Sequence, residues 1–304
     1  MHTIEIPDEK ITLYLPNHLG ECTAQQYMDM SELIFKYQTQ QIDFDTFKVH
    51  AVYKLLNIVP SKPKNADDEL QILVNVLALA NKIESFFEIN DTNQHVIKQD
   101  YINNPVSSIS HWQKYHGPTD QFLNITFGEY LDALRLFLEF SASGDIQLLY
   151  LISAILYRPA KKFHFIKKHF NSYDGDIRIE YNPHLIEARA EKFKYLPIGF
   201  VFGNYLLFAS FQKFLSSAII PWAGRELDLS ILFSNDNQSE QKEDIPSIGM
   251  DSILFSITES GVFGNKKETL NTKLWEVLVR MYDIRKRDLD QQKQQKQNDT
   301  SSSD

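Results

Sequence analysis

Apolar residues recur every three or four positions through most of this chain, and the segments that carry them begin at residues able to cap a helix. Tyr27, Met30, Ile34 and Tyr37 form one such stripe in AQQYMDMSELIFKYQ, just after Thr23. Phe44, Phe47, Ala51, Leu55 and Ile58 form another after Asp43. Beyond the proline-bearing loop VPSKPKN, Asn65 precedes the long run ADDELQILVNVLALANKIESFF. The side-chain oxygens of Thr, Asp and Asn can each accept a hydrogen bond from the free amides of a first turn. In ITFGEYLDALRLFLEF, Thr126 and Glu129 have the spacing of a capping box. GDIQLLYLISAILY is apolar almost all round, which predicts a buried helix. Asn182-Pro183 opens HLIEARAEKFKYL, with proline at the first helical position, where its missing N–H costs nothing. An apolar helix is expected from Pro197, and a last one in KLWEVLVRMYDIRKRDL.

Strand signals are fewer. TIEI and ITLYL around PDEK predict an N-terminal hairpin, and HVIKQDYI predicts a strand. The rest of residues 88–125, which carry Pro105 and Pro118, is expected to be irregular. The sum is a mainly α, multi-helix globular protein with a few short peripheral strands. Residues 1–233 read as a helical body with the N-terminal hairpin, 234–245 as a polar linker and 246–290 as a C-terminal helical hairpin. Residues 291–304, QQKQQKQNDTSSSD, read as a disordered tail or fraying helix.

Composition narrows the function classes. Of 304 residues, 43% are hydrophobic, so the chain can bury a real core. The formal net charge of −9 disfavours nucleic-acid binding by the whole protein but allows a local patch. A single cysteine, Cys22, permits no internal disulfide and no cysteine-based zinc site. Its neighbour Glu21 would raise a thiol pKa, which disfavours a nucleophile there. The opening MHTIEIPDEK has neither the basic nor the apolar region of a secretory signal, so the cytoplasm is the expected compartment.

Four stretches are candidates for chemistry. GVFGNKKETL, residues 261–270, has its glycines three apart and no Lys-Ser/Thr after the second, which is not a phosphate loop. It reads as a helix break, with Gly261 left-handed and Thr269 or Asn271 capping the next helix. YRPAKKFHFIKKHF, residues 157–170, is the most basic stretch. Arg158, Lys161, Lys162, Lys167 and Lys168 are its candidate partner- or polyanion-binding residues, with phenylalanines between them that face either a ligand or the core. His111 and His116, like His164 and His169, are five apart, which puts each pair off one helix face, so no metal is expected. No cofactor and no catalytic set is expected either, since no G-x-S-x-G elbow occurs and Asp67, Asp68 and Glu69 suit a helix start. YLPIGFVFGNYLLFASFQ, residues 195–212, is uncharged but at the lower length limit for a membrane span. Gly199 and Gly203 predict instead a core helix crossed closely by another. In the last helix Trp275, Leu278 and Tyr282 belong to a wide apolar face. It either docks on the body or meets a partner.

YLPNHLGECTAQQYMDMSELIFKYQTQQIDFDTFKVHAVYKLLNI, LLYLISAILYRP, ARAEKFKYLPIGFVFGNYLLF and ESGVFGNKKETLNTKLWEVLVRMYDIRK together resemble proteins of tailed phages and prophages similar to tail assembly chaperones. The resemblance implies non-catalytic work: keeping a helical, aggregation-prone tape-measure-like chain soluble during tail assembly. An exposed apolar groove on an acidic helical scaffold would serve that work. A structural virion or adaptor protein, or a nucleic-acid-binding protein using residues 158–169, are the other classes left open.

Overall fold

The computed structural model describes residues 1–6, 11–59, 62–90, 93–164, 175–233 and 262–301. They form a mainly α fold with small antiparallel sheets at its edges. The helices among them are α1 (Ala24–Gln38), α2 (Phe44–Leu56), α3 (Ala66–Ala80), α4 (Phe127–Ser143), α5 (Ile146–Leu156), α6 (Ile186–Phe193), α7 (Ile198–Leu215), α8 (Lys266–Asn271) and α9 (Leu274–Ser301). The strands pair as hairpins: β1 (His2–Ile6) with β2 (Ile11–Leu15), β3 (Phe87–Ile89) with β4 (His95–Ile97), and β8 (Ile219–Trp222) with β9 (Arg225–Asp228). The fourth sheet has three strands, β5 (Ser108–Ser110), β6 (Lys114–His116) and β7 (Arg158–Pro159), in which His116 lies opposite Arg158.

The helix starts follow local chemistry. Thr23 accepts from the Gln26 amide and Gln26 returns a bond to Thr23, a complete capping box. Asp43 caps α2 and Asn65 caps α3 by one bond each, accepting from the Thr46 and Asp68 amides. Thr126 and Glu129 form the reciprocal pair their spacing predicts. The break before α8 differs in detail. Asn265, not Thr269 or Asn271, caps that helix, and Glu268 closes its capping box. Asn265-x-x-Glu268 is itself a capping-box spacing one turn upstream, so the helix starts earlier and Thr269 falls inside it, fully buried. Gly264 takes the left-handed conformation at φ 81°, while Gly261 lies outside the described residues.

Helix α7 is the hub of the core. It is long and apolar enough to span a bilayer by length and composition, yet 72% of it is buried inside the protein. α1 crosses it at the two glycines. A Cβ added to Gly199 would stand 2.0 Å from the Met28 carbonyl oxygen, and one on Gly203 would stand 2.8 Å from the Tyr27 ring. The Tyr27 hydroxyl fills this junction, donating to the Gly203 carbonyl at 2.7 Å and meeting the Tyr101 hydroxyl at 2.7 Å. α5 packs on a different side of α7 from α1, and the Asn204 amide donates to Ser153 Oγ across that contact.

α9 docks through Leu274, Val277, Leu278 and Met281, all buried. It continues as helix through residues 291–301, where the low-complexity composition predicts a disordered or fraying tail. The glutamines and lysines there are good helix formers, and the docked turns have already supplied the costly nucleus. The predicted linker 234–245 and residues 246–261 of the predicted C-terminal hairpin lie outside the described residues.

The glycine crossing leads to a test. Gly199→Ala forces α1 away from α7 and should lower stability by about 3 kcal/mol or more, at the upper end of overpacking costs. Chemical denaturation of the variant against the parent would check it, and an unchanged midpoint would mean that the two helices do not meet backbone to backbone.

Candidate functional site

Where α5 ends, the chain turns into β7 and carries Arg158 inward, so that this guanidinium is only 1% exposed. Residues 176–179 return alongside it. Lys161 donates its amide to the Ile177 carbonyl at 2.8 Å, and the Ile179 amide donates to Pro159 at 2.9 Å. This pairing places Asp176 and Arg178 against Arg158 and the first turn of α4, where Glu129 is fully buried.

The four charges form one network. Arg178 grips Asp176 with two nitrogens, Nε to Oδ1 and Nη2 to Oδ2, both at 2.9 Å, and reaches Glu129 Oε2 at 3.3 Å. Arg158 pairs with the other Glu129 oxygen and stands 3.4 Å from Asp176 Oδ2. Remaining donors go to backbone carbonyls: Arg178 to Leu156 and Asn124, Arg158 to Ile155 and Ile179. Asn124 donates its side-chain amide to Asp176 at 2.9 Å. Two cations and two anions thus neutralise one another where water cannot. Burial pushes the Asp176 carboxyl up, but the hydrogen bonds and charge of Arg178, with Arg158 behind them, outweigh burial and hold it below its ordinary value. Burial lowers the Arg158 pKa despite Glu129, whereas in Arg178 the charge of Glu129 and the bonds to Asp176 outweigh burial and raise it. Nearby, Tyr181 donates to Asp132, and burial, then this bond and charge, raise its hydroxyl well above the ordinary value.

Above the network opens a cleft of about 1970 Å³ between α4, residues 178–185 and α8. Eight cationic side chains line it, Arg135, Arg158, Lys161, Lys162, Arg178, Lys266, Lys267 and Lys273, against the acidic Glu129, Asp132, Asp176 and Glu180. A local excess of four positive charges therefore sits on a chain of net charge −9. Part of the lining is apolar: Leu131, Leu134 and Leu138 recur along α4, and Leu185 and Leu270 join them. The carboxylates at its base, Glu129 and Asp176, are committed to Arg158 and Arg178.

The structure redistributes the residues marked in the sequence. Arg158 is not a surface cation: it lies at the base of the cleft, because an apolar helix end delivers it to a buried Glu129. Lys161 and Lys162 do line the cleft, and Lys266 and Lys267 of the GVFGNKKETL stretch join them from a distant part of the chain. Lys167, Lys168 and His169 lie outside the described residues, as do Phe165 and Phe170, while Phe163 is 66% exposed. Leu278 is fully buried and so cannot face a partner; α9 spends its apolar face on the body. Trp275 packs edge-on against Phe211 and donates its indole N–H to the Gln121 carbonyl at 2.9 Å, and Tyr282 is partly buried beside the core. Asp176, Arg178 and the buried side of Glu129 had no sequence signal beyond the capping box and the charge alternation of DGDIRIE. Burial of His116, followed by the charges of Lys114 and His164, lowers its pKa. Among the described residues no group of three or more His, Cys, Asp or Glu side chains is placed to hold a metal ion.

No protein-family model, no curated protein and no solved structure matches the chain.

The network carries a pH signature. Because Asp176 has a lower pKa folded than unfolded, its contribution is fully present above the ordinary carboxylate value of about 4 and is lost as pH falls through the folded value. Denaturation midpoints measured across the acid range should therefore drop for the parent protein. Asp176→Asn should be less stable at neutral pH and show a shallower acid limb. Arg178→Met, which leaves Glu129 and Asp176 short of a partner, should cost about 3–5 kcal/mol at neutral pH.

Proposed function

We propose that this chain is a non-catalytic assembly protein that holds an acidic amphipathic helix of a protein partner in the cleft between α4 and α8. One observation carries the reading: the cleft pairs a helical row of half-buried leucines, Leu131, Leu134 and Leu138, with a rim of lysines. Such a surface suits a helix with leucines on one face and carboxylates beside them. Single-stranded nucleic acid suits it less, because stacking needs exposed aromatic rings and, among the described residues lining the cleft, the tyrosine, Tyr181, is tied to Asp132. The work is of the chaperone-like kind that the resemblance to phage tail-assembly proteins implies, and in that setting the host cytoplasm is the compartment. A tape-measure-like helical chain is the corresponding partner.

Fluorescence anisotropy with three labelled probes tests the reading: a leucine–glutamate amphipathic peptide, its leucine–lysine counterpart and single-stranded oligothymidine. The glutamate peptide should bind best and weaken with salt. Lys162→Glu and Lys267→Glu should each weaken it by about tenfold, the loss of one favourable rim charge and its replacement by a repulsive one. Leu134→Asp should abolish binding; because this side chain is half-buried against the core, circular dichroism of the variant checks that it still folds. Preference for the oligonucleotide, with no effect of Leu134→Asp, would replace the protein partner with nucleic acid.

A further inference from the structure

α3 is apolar on nearly every side, in ADDELQILVNVLALA, and a helix of that kind is ordinarily buried all round. Here it is not. Ile72, Val76, Leu79 and Ala80 face the body, mainly α2, and are half-buried or buried. The opposite face carries Leu70, Leu73, Val74 and Leu77, with 61%, 53%, 53% and 47% of their surfaces exposed. Their spacing of three, one and three residues makes a continuous stripe along the helix.

We infer that the α3 stripe is covered by the α3 helix of a second copy of this chain, packed antiparallel about a twofold axis. The stripe is its own complement. With the axis passing between Leu73 and Val74, Leu70 lies opposite the partner's Leu77, and Leu73 opposite the partner's Val74, so each side chain meets one of similar size. The charges agree with the same register. Asp67 and Asp68 lie at the N-terminal end of α3, and Lys82 follows its C-terminal end; Asp67 and Lys82 are exposed. Antiparallel pairing brings the partner's Lys82, in the 3-10 turn that follows α3, level with the Asp67 end of the helix to within about half a turn along the axis. It also sets each helix N-terminus beside a C-terminus, whereas parallel pairing would stack two acidic clusters and align two dipoles. A single pair of four-turn helices lies at the small end of specific interfaces, so the association is concentration-dependent rather than obligate. The inference stands apart from the cleft, which α3 does not line.

Sedimentation velocity of the full chain over a concentration series reads the result directly. The expected outcome is a monomer that shifts to dimer as concentration rises. Leu73→Glu should remain monomeric throughout while keeping the parent's circular dichroism and melting temperature, because the side chain it replaces is exposed. Asp67→Lys and Lys82→Glu should each weaken the dimer, and the two together should restore it, which antiparallel pairing requires. A chain monomeric at every concentration, a dimer indifferent to Leu73→Glu, or a monomer whose melting falls with Leu73→Glu would each overturn the inference. The last would mean that the stripe is covered from within the chain.

Discussion

Two arginines and two carboxylates, sealed from water, tie together three stretches of chain that are otherwise far apart in sequence. Glu129 belongs to the first turn of α4, Arg158 to the end of α5 and its strand, and Asp176 and Arg178 to the returning segment. None of the four could be buried alone, since an isolated charge in a protein interior is far costlier than any single contact. Each position therefore constrains the other three. The network fixes segment 175–181 against β7 and the start of α4, and Tyr181, the leucines of α4 and Lys161 and Lys162 all line the cleft beside it. The four buried charges are neutral overall, so the cationic excess of the cleft comes from the other side chains lining it.

The hydrophobic scaffold under this network is organised around α7, which packs against α1 and α5 on different sides. Glycine makes the α1 contact close enough for the Tyr27 hydroxyl to reach a backbone carbonyl of α7. That buried hydroxyl pair, with Tyr101, fixes the rotation of α1 about its axis as well as its distance. α9 adds a second layer. It binds over Phe211 through Trp275, and its first residue donates its amide to the Ile125 carbonyl beside the cleft, so the C-terminal helix braces the start of α4. The helices spend their apolar faces mainly on the core; α3 differs, because among the described residues its second apolar face is exposed.

Two basic stretches separated by about a hundred residues of chain acquire meaning only together. Read singly, each has a bland explanation: KK at 161–162 as a solvated loop, and NKK at 265–267 as a helix start. Their convergence on one cleft depends on where α8 docks. α8 docks against α4, with Gly128 leaving room for Leu270, whose carbonyl would stand 3.1 Å from an added Cβ. The backbone bond from the Phe127 amide to the Thr272 carbonyl fixes the same contact.

Much of the secondary structure was legible because its causes are local. Thr23, Asp43, Asn65 and the Thr126–Glu129 pair each cap a helix through bonds made within four residues, and the apolar stripes of α1, α2 and α9 turn toward the core as their spacing requires. The glycine pair of α7 was legible too, since two glycines one turn apart on an apolar helix have few uses besides close packing. The charges were not. Arg158 reads as a surface cation beside four lysines, and nothing in its own neighbourhood says that a glutamate twenty-nine residues earlier and an aspartate eighteen later will surround it. Burial, pKa and the shape of the cleft depend on long-range pairing, which hydrophobic periodicity does not encode. The same limit holds for α3. The sequence determined that it is a helix with apolar residues on every side, but only the tertiary structure decided that one face packs on the body while, among the described residues, the other stays exposed.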